Sequence, residues 1–252
     1  MRRPAIAAAG LALLGLVAPA GAAASPTVTA SASFAPDRLG SPTALVYAFQ
    51  IGDTSGALPP PLSRVVAMLP AGSEVDTAGL GVCPSLSALA QMGASACPSS
   101  SFAGFGSSQV AAAIGATLIN ETAALTIFLG PSTPGHTVLD FYADGTTPVS
   151  EQLAFTGTEE PASAPYGLSF VVNIPAIPTV PGAPDASILS LKSTIGAPNA
   201  AYYVTKRHRR VLEHVKGLVV PKRCPPGGFP FALAFSFTDG TTLTAPLKIA
   251  CP

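Results

Sequence analysis

The sequence has no tryptophan and few charges: only 10% of its 252 residues are Asp, Glu, Lys or Arg, against roughly 25% in an ordinary soluble protein. Aromatic residues make up 7%, so the core must be built largely from Val, Leu, Ile, Ala and Phe. Ser, Thr, Gly, Ala and Pro must supply much of the surface, which suits an extracellular coat or a protein that leans on another surface. Neither charge sign is in excess, with 13 basic and 13 acidic residues. Global attraction to nucleic acid or to an anionic membrane is therefore missing. Long helices are excluded as well, because 27 prolines interrupt the chain and an interior proline breaks a helix.

Catalytic signatures are also lacking. The chain contains no G-x-S-x-G elbow, no H-E-x-x-H pair and no phosphate-cradling glycine loop. A Ser-His-Asp arrangement would have to use one of three histidines, His136, His208 or His214, and none stands in a supporting motif. An enzyme is not expected, and no cofactor is implied.

The N-terminus shows what is present. Met1-Arg2-Arg3, an apolar stretch from Ala5 to Val17 and the small residues Ala22-Ala23-Ala24 form the three parts of a secretory signal. Cleavage is expected after Ala24, giving a signal peptide at 1–24, with a cut after Ala20 as the alternative. The apolar stretch is shorter than the ~20 residues that span a bilayer, so no transmembrane anchor is expected in the mature chain. The mature part, 25–252, keeps 11 basic residues against 13 acidic ones and is close to neutral. A secreted or cell-envelope location follows.

Four cysteines, Cys83, Cys97, Cys224 and Cys251, all follow the signal. An even number in an exported chain favours disulfides. Three pairings are possible. Cys83–Cys97 and Cys224–Cys251 are expected, because each would close a local loop around one supersecondary unit. Zinc sites use close pairs such as C-x2-C, which are absent, and no cysteine has a neighbouring histidine to activate it.

Short β-like runs separated by turn residues fill the rest. Strands are predicted over 27–34, 44–51, 64–69, 137–143, 151–156, 167–174, 186–193, 201–204, 211–220, 231–237 and 241–249. One short helix is predicted over 86–92, with Ser85 as its cap and Gly93 as its end. Residues 98–106 read as a loop. Residues 109–119 and 123–129 read as a hairpin turned at Asn120-Glu121, although together they approach membrane-span length. Asp144-Gly145 and Asp239-Gly240 read as turns. The four prolines between 175 and 184 mark a linker-like crossing. Because each half alone would be a small sheet with one disulfide, a single domain is expected over 25–252. Its class is an all-β antiparallel, jelly-roll-like β-sandwich.

Several short motifs stand in a recognisable order. They are Gly79-Leu80-Gly81-Val82-Cys83, Ala96-Cys97, Phe128-Leu129-Gly130, Asp140-Phe141-Tyr142 and Ile174-Pro175-Ala176-Ile177. Cys224 then leads through Phe237-Thr238-Asp239-Gly240-Thr241 to Cys251. In these motifs the chain resembles a family of uncharacterised exported bacterial β-proteins. The resemblance implies export and a β-fold, and carries no reaction, cofactor or ligand.

The strongest local feature is Lys206-Arg207-His208-Arg209-Arg210, followed by His214, Lys216, Lys222 and Arg223. Seven of the 13 basic residues fall in this segment. Clustered cations concentrate polyanions, so cell-wall polymer or acidic glycan is one reading. A solvated hairpin tip whose like charges discourage edge pairing is the other. No specific nucleic acid is implied. His208 and His214 would share a face on one unbroken strand, but a metal site would also need His136 and Asp140, against the local positive charge. Paired carboxylates for glycoside hydrolysis could be Asp140 with Asp144, or Glu159 with Glu160. However, the first pair includes a turn residue, and the second lies in a loop-like stretch before Pro161. Asn120-Glu121-Thr122 matches a glycosylation sequon and is read as a turn.

The function expected from sequence is therefore a non-catalytic structural or adhesive module of the envelope. Polyanion or glycan binding through Lys206, Arg207, His208, Arg209 and Arg210 is the alternative, and a secreted hydrolase the second. Cell-wall polymer and another envelope protein are the candidate partners.

Overall fold

A computed structural model describes residues 25–145, 151–180, 182–196 and 200–252; the segment read as a signal, 1–24, lies outside the described residues. Among the described residues, fifteen strands and one α-helix follow one another as β1 (Pro26–Ala35), β2 (Pro42–Asp53), β3 (Leu62–Pro70), β4 (Glu74–Asp76), α1 (Leu86–Met92), β5 (Phe102–Ile114), β6 (Thr117–Leu129) and β7 (Val138–Gly145). After these come β8 (Glu151–Pro161), β9 (Tyr166–Asn173), β10 (Ser187–Ile195), β11 (Ala201–Lys206), β12 (Arg209–His214), β13 (Gly217–Val219), β14 (Phe229–Phe237) and β15 (Thr242–Ile249).

All ladders are antiparallel. Thirteen strands form one sheet in the order β15-β14-β3-β9-β8-β7-β6-β5-β10-β2-β13-β4, with β1 on β2, while β11 and β12 form a sheet of their own. The large sheet curls until its two ends meet. Phe49 of β2 meets Phe235 of β14 edge-to-face at 5.0 Å, Phe34 of β1 meets Phe229 at 5.9 Å, and β1 lies against β15. The result is the sandwich-like antiparallel all-β fold that the sequence pattern predicts. Alternation explains which side faces in. In β15, Leu243, Ala245, Leu247 and Ile249 turn toward the core, while Thr242, Thr244, Pro246 and Lys248 are exposed.

A second, smaller core sits on the outer face of β6, β7 and β8. Cys83, Leu89 and Cys97 pack there on Phe128 and Tyr142, with Leu86 and Ala154 at the edge. α1 forms as its local signals dictate: the Ser85 hydroxyl accepts a hydrogen bond from the Ala88 N–H (3.2 Å), and Gly93 ends it at φ 70°. A 3-10 turn (Gly93–Ala96) then carries the chain to Cys97. The Cys83 N–H donates to the Leu129 carbonyl (2.8 Å) and pins this cap to the sheet.

Both expected disulfides are formed, with sequence separations of 14 and 27. By loop-closure entropy they contribute about 3 kcal/mol and about 3.5 kcal/mol respectively. Two formed disulfides fit an oxidising, extracytoplasmic setting. No helix among the described residues is long and apolar enough to cross a membrane.

Some expectations are corrected. The β5–β6 turn is at Gly115-Ala116, where Ile114 faces Thr117, and not at Asn120-Glu121. Gly115 supplies the positive φ of 61° that a tight hairpin needs. The ladder then keeps its register as far as Gly104, so Asn120 pairs with Ala111 and Glu121 with Val110. The loop read at 98–106 ends early, because β5 begins at Phe102. Asp144-Gly145 belongs to β7, where Asp144 pairs with Gln152 and accepts a hydrogen bond from its side-chain amide (3.1 Å). Glu159 and Glu160 lie inside β8. The strand read over 211–220 divides into β12 and β13, since Val215 is drawn into the buried interior at 2% exposure.

Candidate functional site

β11 and β12 make a two-stranded ribbon that, among the described residues, pairs with no other strand. Its register sets Tyr202 against Glu213, Tyr203 against Leu212, Val204 against Val211, Thr205 against Arg210 and Lys206 against Arg209. The base is closed where the Val215 N–H donates to the Ala200 carbonyl (2.8 Å). Strand alternation then divides the side chains between two faces. Tyr202 and Glu213 share one face, and the Tyr202 ring covers Gly79, where any Cβ would collide with it. On the other face Tyr203 and Leu212 are 61% and 49% exposed, and the Arg210 guanidinium sits 4.5 Å over the Tyr203 ring.

Lys206, Arg207, His208, Arg209 and Arg210 are all exposed at the tip. Arg207 and His208 form the two-residue turn with φ of 48° and 63°. A tight hairpin turn of this kind favours Asn-Gly, because a left-handed conformation costs other residues about 1–2 kcal/mol. The tip therefore holds two cationic-type side chains where the backbone would be better served by glycine. Lys206 is ion-paired with Glu213 across the ribbon, and this carboxylate raises the lysine's pKa further.

The rest of the basic segment is placed differently. Lys216 is paired with Asp76 (3.0 Å) and Lys222 with Glu74 (3.3 Å), both on β4. His208 stands in the turn and His214 ends β12, so the two do not share one unbroken strand. His136 is exposed in the β6–β7 connection, with Nδ1 3.1 Å from the Glu159 carbonyl. Asp140 is 1% exposed on the outer face of β7, beneath the cap. The apolar cavities inside the curled sheet and the polar opening beside β6 are lined by none of His136, Asp140 and His208. Among the described residues no three His, Cys, Asp or Glu side chains gather closely enough to hold a metal ion.

Two groupings were not read from the sequence. The first is the Tyr203–Arg210 stack, which cross-strand pairing creates from residues seven apart. The second is Glu121 with Glu151. Both point into the curled sheet and line the same apolar cavity of about 90 Å³. Parity carried this signal, because Glu121 falls in register with the inward-facing Ala123, Leu125 and Ile127 on β6, and Glu151 with Leu153 and Phe155 on β8.

Compared with known proteins, the chain matches no family model, no characterised protein and no solved structure. The likeness of its short motifs to exported bacterial β-proteins rests on those motifs alone.

Proposed function

We propose that the mature chain is an extracytoplasmic, non-catalytic adhesive module that grips acidic polymers of the cell envelope with the β11–β12 ribbon. One observation carries this reading: five consecutive residues of cationic type are exposed at the tip of a ribbon that no other strand pairs with. Four full cations face one carboxylate, Glu213, whereas the rest of the mature chain holds 7 basic against 12 acidic residues. Attraction is therefore local to the ribbon, and such a field concentrates a polyanion there. The exposed Tyr203 and Leu212 give the same face apolar area for sugar rings, and the Arg210 guanidinium is drawn to the aromatic ring beneath it. Export by the 1–24 signal and oxidation in the envelope belong to the same reading.

The test replaces Lys206, Arg207, His208, Arg209 and Arg210 by Gln or Ser and measures retention on heparin and on purified anionic wall polymer. The wild-type protein should elute at a distinctly higher salt concentration, and the variant should flow through with an unchanged circular-dichroism spectrum. Equal retention of both proteins rejects the proposal.

A further inference from the structure

Proteolysis of a folded chain begins where the backbone can leave its ladder, because an endopeptidase takes its substrate as an extended strand. Four of the 11 basic residues in 25–252, Lys206, Arg207, Arg209 and Arg210, stand together at the exposed tip of the β11–β12 ribbon, and none precedes a proline. Six residue pairs hold the ribbon shut, and among the described residues no ladder ties it to the large sheet. Its turn is also strained. Arg207 and His208 hold φ of 48° and 63°, a left-handed conformation that opening relieves.

The other seven cations are anchored. Arg64 and Lys192 lie in β3 and β10, each paired on both sides, and Lys248 of β15 pairs with Pro230. Lys216 and Lys222 are ion-paired with β4. Arg38 lies in a turn tied to the body, where the Gly40 N–H donates to the Val220 carbonyl (3.1 Å). Arg223 precedes Cys224, which is bonded to Cys251.

We propose that the ribbon tip is a processing site for a trypsin-like endopeptidase, whose cuts after Lys206 and Arg210 remove the cations that grip the polymer. At each cut one water adds across the peptide C–N bond, leaving a carboxylate on the residue before it and an α-ammonium on the residue after it. The two cuts release Arg207-His208-Arg209-Arg210. Counting Glu213, the tip charge falls from 4 − 1 = +3 to zero, since Lys206 stays ion-paired with Glu213 and the two new termini cancel. Each disulfide lies wholly on one side of the cut, so the ladders alone hold the two pieces. β13 stays between β2 and β4, and β14 beside β3, with Phe229, Phe231, Leu233 and Phe235 buried in the core. The loss of grip rests on the adhesive reading; the cut does not.

Trypsin in trace amount, applied to the native mature protein and followed by mass spectrometry, tests this. The first cut should fall within 206–210. The two pieces should separate on a denaturing gel without reductant but co-elute in size exclusion. Replacing Lys206, Arg207, Arg209 and Arg210 by Gln should slow the loss of intact chain by about a hundredfold, toward the rate set by opening of the large sheet. The form that has lost 207–210 should leave heparin at distinctly lower salt than the intact protein. A first cut elsewhere, or pieces that come apart in size exclusion, overturns the processing site without need of any variant. A trimmed form that elutes with a well-retained intact protein overturns the release. Intact protein that does not bind heparin rejects the adhesive reading and the release with it, whereas the cut is judged by its position and rate alone.

Discussion

Asp140 is the most exacting residue in the fold. β7 alternates, so Leu139 and Phe141 enter the main core while Asp140 and Tyr142 turn to the cap. Phe128 lies opposite Asp140 on β6 and Thr156 on β8. Gly130 passes so close that a Cβ there would lie 2.7 Å from Asp140 Oδ2. That oxygen is buried and has no hydrogen-bond partner, and burial pushes the carboxyl up to about 6. An unfolded aspartate titrates near 3.9, so the fold opposes ionisation. The contribution of this group to stability is fully present below about pH 3.9 and is lost as the pH rises through about 6. Asp140→Asn removes the charge at nearly constant shape. It should raise stability at pH 7.5 by on the order of 2 kcal/mol and change little at pH 4, as read from urea unfolding at both values. A gain of equal size at the two pH values would show that ionisation is not what the site resists.

At the scale of elements, legibility followed the range of the deciding contact. α1 was readable because its cap, Ser85, and its end, Gly93, directly flank it in sequence. The β14–β15 hairpin was readable from Asp239-Gly240. The β5–β6 turn was misplaced because Asn120-Glu121 resembles a turn more than Gly115-Ala116 does; a ladder from Phe102 to Phe128 overrides that local preference. The inward Glu pair was visible in principle as a break in period-two alternation, but only a correct strand register reveals it. Nothing in sequence order showed that Tyr203 would support Arg210, or that the ribbon would stand as a separate sheet.

That separateness has consequences for the ribbon. Replacing Arg207-His208 by Asn-Gly relieves two left-handed residues, so the protein should become more stable by about 1–2 kcal/mol in thermal unfolding. The same variant should elute from heparin at lower salt, because a tip cation is gone. A variant that is more stable and binds as tightly would remove the tip from the binding surface. Excising 201–214 and bridging Ala200 to Val215 with two glycines should leave the thirteen-stranded sheet folded, with its β-type circular dichroism intact, since no ladder joins the ribbon to it. Loss of that spectrum would mean that Tyr202 on Gly79 is a structural contact the large sheet cannot lose.

Across the whole molecule, the two disulfides fasten different parts of one curled sheet. Cys83–Cys97 closes the cap that packs on Phe128 and Tyr142, the neighbours of Asp140 on β6 and β7, whereas Cys224–Cys251 joins the approach to β14 to the end of β15, five strands from β7 along the sheet order. Entropy alone makes them similar in strength. Their coupling to Asp140 must differ, because distant sites act additively and sites in contact do not. Without Cys83–Cys97 the cap loosens, water reaches the carboxylate and the penalty on ionisation falls. Replacing Cys83 and Cys97 by Ala should therefore cost about 3 kcal/mol and remove most of the gain from Asp140→Asn at pH 7.5. Replacing Cys224 and Cys251 should cost about as much and leave that gain whole. Unfolding curves for the two double-cysteine variants, each with Asp140 and with Asn at that position, provide both cycles. If the gain survives equally in both backgrounds, the cap does not control access to Asp140, and the smaller core is a staple without influence on the charge beneath it.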